Sequence, residues 1–290
     1  MTNIDDYLIN YNWMPCAADW SVDLSEEFYR SAGVSKLCDV KPLTIDQVDN
    51  IHPYDIIFVK TDYLKHNQFQ TFILPRIKVP FILISGISDY TVDYYETILS
   101  NSYCIKWFCT NPPCKHEKII ELPIGFQEHE RVGGNQIILK SFHGKQFVKK
   151  IEKILLPYHT ESSNPTRVAS IEYLKSLPFI DVQKEKLNFE DYLTLLSQYK
   201  YCICLEGNGA DTHRNYECLL VNTVPIMKNS TIGNLYNRYS LPFESINTWN
   251  EVNDSFCESL KNKEHDHSNV ANFLQMKNHL LLIRTYKEFN

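Results

Sequence analysis

Arg214 and Glu217 stand three residues apart, with His213 beside them, just after Glu206-Gly207-Asn208-Gly209 and the pair Asp211-Thr212. A guanidinium makes two-pronged contacts to phosphate oxygens, whereas a carboxylate repels phosphate and accepts hydrogen bonds from sugar hydroxyls. The pairing suits a ligand that carries both a diphosphate and a ribose. Glycine at 207 and 209 lets the backbone approach an anion closely.

Three elements must position these groups. The apolar run from Tyr201 to Leu205 reads as a buried strand, the glycine break as a loop, and the segment from Asp211 as a helix. Asp211 or Thr212 can cap that helix, and Tyr216, Leu219 and Leu220 form one apolar stripe. At roughly 100° per residue, His213, Arg214 and Glu217 share an arc of about 100° on the other face. A second apolar strand, Thr223 to Met227, follows at once. In an open α/β sheet the carboxyl end of a strand is the usual ligand crevice. A helix N-terminus there presents free N–H donors to an anion. A strand, a glycine turn and an amphipathic helix also occur where nothing binds, so spacing alone leaves both readings open.

The segment EGNGADTHRNYECLLVNTVPI closely resembles the signature of exostosin-type glycosyltransferases, especially the small versions carried by large, chlorovirus-like DNA viruses of algae. The match covers about twenty residues. It departs mildly at Ala210, where an aliphatic is commoner, at Tyr216, where Trp is commoner, and at Asn222, where Gly is commoner. Asn is the next best residue for a left-handed turn. The resemblance implies an inverting transferase that moves a sugar from a nucleotide-sugar donor to an oligosaccharide or glycoprotein acceptor. It points to glycans of a viral capsid protein, with UDP-xylose as the first donor to try and UDP-galactose or UDP-glucuronic acid next.

The whole chain is consistent with such an enzyme. Its 290 residues suit about two domains, and 43% hydrophobic residues suit folded cores. A net charge of −6 argues against bulk nucleic-acid binding. The nine cysteines are an odd number, mostly in apolar runs, which favours a reducing compartment. Cys109 and Cys114, or Cys202 and Cys204, lack zinc-type CxxC spacing. The start, MTNIDDYLINYNW, lacks the layout of a secretion signal, and nowhere do eighteen apolar residues run together. The expectation is a cytoplasmic chain, in the host cytoplasm if viral, with no membrane span.

Two successive series of alternating strands and helices imply an α/β, GT-B-like architecture of two Rossmann-like domains facing a cleft. Boundaries are expected at 1–135, 136–265 and 266–290, the last a helix from about Asn269 to Phe289 returning to the first domain. Residues 1 to 50, with Tyr7, Trp13, Trp20 and Phe28, are expected to cover the first sheet. Helices are expected over Tyr63 to Arg76, Val92 to Leu99 and Lys145 to Glu152, and a turn over Glu161 to Pro165. The tract Lys263 to His267 reads as a solvated linker rather than a metal site.

Inverting transfer needs a base for the acceptor hydroxyl and donors for the leaving diphosphate. Arg214, the helix N-terminus and Arg167, which opens another helix after a strand, fit the second duty. Asp89, in a loop after an apolar strand, fits the first, and its ISGISDYTV setting resembles the viral enzymes. Asp89 can equally cap a helix near Thr91. Glu128 and His129 are weaker base candidates. Glu206 either contacts sugar or positions the glycine loop, and His213 either orients phosphate or bonds the neighbouring loop. No DxD spacing occurs, so no metal and no cofactor is expected. The rival reading is a noncatalytic nucleotide- or carbohydrate-binding protein derived from a transferase.

Overall fold

The computed structural model describes residues 6–10, 12–22, 40–145, 147, 150–159 and 165–288. Phe28 and the turn expected over residues 161–164 lie outside them. The chain forms two compact units, residues 1–124 with 275–290, and residues 125–274. The division expected near 135 and 265 thus falls at 124 and 274.

Among the described residues the first unit holds six parallel strands: β1 (Trp20–Val22), β2 (Lys41–Leu43), β3 (Asp55–Lys60), β4 (Phe81–Gly86), β5 (Cys104–Cys109) and β6 (Ile119–Glu121). Their order is β2-β1-β3-β4-β5-β6. DIIFVK and FILISG are buried almost throughout. A parallel sheet covered on both faces requires such continuous apolar runs. Residues 1 to 50 therefore do more than cover the sheet, because two of its strands come from them.

β4 ends at Gly86, where a Cβ would press on the Met14 side chain and make it shift. Ile87 then turns with φ of +55° and leads to Asp89. The helix expected over 63–76 is instead three short turns, Thr61–Lys65, Phe69–Ile73 and Leu74–Arg76. Asn67, with φ of +58°, breaks the first from the second. The next helix spans Tyr95–Ser100 rather than starting at 92, because Tyr94 before it is left-handed at φ +56°.

In the second unit Ile151 and Glu152, expected to end a helix begun at 145, instead open a strand, and residues 146, 148 and 149 of that span lie outside the described residues. The helix there is Gln136–Phe142, capped by the Asn135 side chain and followed by Gly144 at φ +74°, a left-handed stop after the last turn. Five parallel strands follow, β7 (Ile151–Leu156), β8 (Ile180–Val182), β9 (Tyr199–Ile203), β10 (Val224–Lys228) and β11 (Glu244–Ile246), in the order β11-β10-β9-β7-β8. The helices Pro165–Lys175, Phe189–Ser197 and His213–Leu220 connect the first four. Asn222, between the last of these helices and β10, has φ of +56°, the conformation for which Asn substitutes best for glycine. Each strand order, read within its own unit, starts 2-1-3-4-5. That is a doubly wound sheet whose direction reverses between its first and third strands.

The expected C-terminal helix is two pieces, Val270–Phe273 and Met276–Glu288. The second belongs to the first unit, where Lys287 Nζ contacts Asp19 Oδ2 at 2.7 Å and Asp55 Oδ1 at 3.2 Å. Among the described residues no helix is long and apolar enough to cross a membrane. Cys16 is disulfide-bonded, a departure from the reduced set expected, while seven other cysteines are free.

Candidate functional site

The strand reversal of the second unit lies between β7 and β9, and their carboxyl ends make the crevice expected of such a sheet. β7 runs out through Pro157, Tyr158 and His159, and β9 through Leu205, Glu206 and Gly207. Arg167, in the first turn of the Pro165–Lys175 helix, donates Nε at 3.1 Å and Nη2 at 2.6 Å to the Glu206 carbonyl. The loop is thereby fixed to the helix. A Cβ at Gly207 would stand 3.7 Å from Arg167 Nη2, so glycine leaves that side of the guanidinium uncovered. Gly207 and Gly209 do not owe their place to a left-handed backbone, since the described glycines with positive φ are Gly125 and Gly144.

Arg214 is held on three sides. Its Nη1 lies 2.5 Å from His159 Nε2, its Nη2 donates to the Tyr158 carbonyl at 3.3 Å, and its Nε donates to the Tyr192 hydroxyl at 3.3 Å. The Tyr192 hydroxyl in turn donates to Glu217 Oε2 at 3.0 Å. A guanidinium only donates, so His159 Nε2 accepts. The ring proton then sits on Nδ1, which lies 2.6 Å from the Pro157 carbonyl. Burial and the charge of Arg214 push the His159 pKa down to about 3, so this imidazole is neutral near pH 7. Burial raises the Glu217 carboxyl, against the opposing pull of Arg214, His213 and the Tyr192 hydrogen bond.

Arg167, Arg214, His159, Tyr192, Glu217 and Gln127 line a cavity of about 590 Å³, a volume typical of small-ligand sites. Burial and the charge of Arg214 both lower the Arg167 pKa. Two guanidiniums feel each other's repulsion across one cavity, with a single carboxylate among its lining to offset them. An anion there would relieve that repulsion and gain charge-assisted hydrogen bonds.

The remaining expected residues are distributed around this centre. Glu206 directs its side chain to Lys228 Nζ, 3.1 Å away, and to Trp249 Nε1, 3.3 Å away, which makes it a brace of the loop. Asn208 is exposed and Gly209 buried. Asp211 is buried and accepts from Asn215 Nδ2 at 3.0 Å and from the Tyr216 hydroxyl. Thr212 occupies the N-cap position of the His213–Leu220 helix without a side-chain cap bond. His213 Nδ1 lies 2.7 Å from the Gly125 carbonyl, so its ring bonds the neighbouring loop and is not part of the cavity lining. Asp89 is an exposed bend residue of the first unit. It does not cap the following helix, whose N-cap is Tyr94. Glu128 pairs with Arg131 at 3.0 Å and His129 with Glu130 at 3.1 Å.

Sequence reasoning missed His159 and Tyr192. A signal existed for His159, which follows the end of a strand. Tyr192 carried none, because three residues after Phe189 on an amphipathic helix it reads as ordinary core.

No family model matches the chain, and no curated protein matches it. Among solved structures, a GtfA/B complex is similar at TM-score 0.41 and 9% identity over 83% of this chain and 59% of that one. The chain therefore spans less than two thirds of that relative's length. A UDP-GlcNAc 2-epimerase from Methanocaldococcus jannaschii, in complex with UDP-GlcNAc and UDP, is similar at TM-score 0.40 and 13% identity, covering 97% of this chain and 91% of its own. The pneumococcal O-GlcNAc transferase GtfA, in complex with UDP and GlcNAc, gives TM-score 0.32 and 11% identity over 84% and 55% of the two chains. The class the coordinates themselves define is a two-unit, parallel α/β protein. Its second unit carries a cationic crevice at the strand reversal.

Proposed function

We propose that the chain is a nucleotide-sugar-dependent glycosyltransferase of exostosin type that inverts the anomeric carbon and needs no metal ion for transfer. The observation that carries this reading is the convergence of Arg167 and Arg214 on one cavity beside the end of β7. Arg214 belongs to the segment whose sequence resembles that family. In this reading the two guanidiniums neutralise the diphosphate as it departs, which is where charge develops during transfer. Glu217, steadied by Tyr192, accepts from a ribose hydroxyl.

Asp89 takes the proton of the acceptor hydroxyl as that oxygen attacks the anomeric carbon. The donor is a UDP-sugar, UDP-xylose first, with UDP-galactose and UDP-glucuronic acid next. The acceptor is a glycan of a viral capsid protein, assembled in the host cytoplasm. A panel of UDP-sugars tests the reading directly. One donor should be hydrolysed slowly alone and consumed faster with an oligosaccharide acceptor, yielding the inverted linkage by NMR. Binding of UDP without turnover of any donor would leave a noncatalytic nucleotide-binding protein. Absence of UDP binding would remove both.

A further inference from the structure

Beneath the glycine loop lies a second chemical cluster that the transfer reaction does not use. Cys202 and Cys204 are two residues apart along the β9 direction, so both thiols point to the same face of the sheet. The His213–Leu220 helix lays Cys218 against that face. The three Sγ atoms all lie within 4.8 Å of one another, and those of Cys204 and Cys218 are 3.6 Å apart. All three residues are free thiols and at most 1% exposed.

We propose that Cys202, Cys204 and Cys218 form a binding site for one soft, thiophilic metal ion in three-sulfur coordination, with copper(I) as the fitting chemistry. Sulfurs held about 2.3 Å from a central ion in a plane lie roughly 4 Å from one another. The observed triangle needs only small side-chain rotations to reach that spacing. Thiolate donors select copper(I) and zinc, but structural zinc takes four ligands. Among the described residues this group has three members, which favours an ion content with three.

The electrostatics accommodate the charge. The Lys150 ammonium interacts with Cys218, while its Nζ donates to the carbonyls of Ser197 and Val221. The Arg214 guanidinium likewise interacts with Cys202. On binding, three S–metal bonds replace S–H bonds, the protons leave to buffer, and the ion keeps its oxidation state. The ion would tie β9 to the helix that carries Arg214.

The test is anaerobic titration of the full chain with copper(I), supplied as its acetonitrile complex, against a chromophoric copper(I) chelator, with zinc(II) chloride in a parallel arm. The expected result is one copper(I) retained per chain, three sulfur neighbours by X-ray absorption, and a rise in melting temperature of several degrees. Cys218→Ala should weaken retention at least tenfold, and Cys257→Ser should leave it unchanged. Retention of no copper(I), coordination by two sulfurs or fewer, or retention of zinc(II) alone would overturn the proposal. Should Cys218→Ala fail to fold, the sulfur count in the unaltered protein decides. None of these outcomes depends on nucleotide-sugar binding, so the two proposals fail separately.

Discussion

His159 accepts a hydrogen bond from Arg214 through Nε2 at 2.5 Å, although the two residues are 55 positions apart in the chain. The contact orients the guanidinium and forces the imidazole to stay neutral, since a second proton on the ring would face the arginine's own N–H. This one pairing links the stability of the second unit to pH and the aim of Arg214 to a residue outside its own helix.

The pH dependence follows from that neutrality. The folded pKa of about 3 lies below the ordinary 6.5, so the unfolded chain binds the extra proton first. Stability is then complete above pH ~6.5 and falls as pH drops toward ~3. After allowing for solvent at the ring's exposed edge, the loss from this residue is on the order of 3 kcal/mol. Melting temperatures from pH 8 to pH 4 should fall, and His159→Gln should flatten the part of the fall due to this group. An unchanged slope in the variant would show that the imidazole is not the titrating group.

Arg214 is the residue on which donor affinity should depend most. Arg214→Ala removes charge-assisted hydrogen bonds worth about 1.5–3 kcal/mol each, so UDP binding measured by calorimetry should weaken at least tenfold. Arg214→Lys should recover little of it, because an ammonium cannot reproduce the fork that reaches Tyr192, Tyr158 and His159 together.

Tyr192→Phe isolates the bridge between the arginine and the acid. The hydroxyl that donates to Glu217 at 3.0 Å disappears, leaving a buried carboxylate short of a donor at a cost of about 1–3 kcal/mol. Chemical denaturation should show that loss. The donor KM should rise as Glu217 shifts further toward its protonated form, and kcat should change less.

Asp89→Asn should lower kcat by about 10²–10⁴, the usual contribution of a general base, with donor affinity unchanged. Glu128→Gln and His129→Asn serve as controls, since Glu128 and His129 are paired with Arg131 and Glu130. If either control abolishes transfer while Asp89→Asn does not, the base is reassigned.

Transfer should continue at full rate in EDTA. In the proposed reaction two guanidiniums supply the positive charge that a divalent ion provides elsewhere. Loss of turnover in the chelator, restored by manganese, would contradict that account.

Much of the strand content was legible in the chain because it is written in local, repeating chemistry. DIIFVK and FILISG are short apolar runs rich in β-branched and aromatic residues, the composition of buried strands, and Asn222 is a left-handed turn residue by type. Arg214 and Glu217 share a helix face by spacing alone. Elements failed where one residue's backbone interrupted a plausible period, as Asn67 and Tyr94 do.

What the sequence determined by itself was therefore the alternation of elements and the composition of one helix face, both set by interactions within a few residues. Tertiary structure alone decided that β7 lies next to β9, which brings His159 to Arg214, and that the helices before and after β9 pack together, which brings Tyr192 to Arg214 and sets Cys218 over Cys202 and Cys204. Those meetings join residues 14 to 55 positions apart. They are fixed by strand order and packing, which local propensity does not encode.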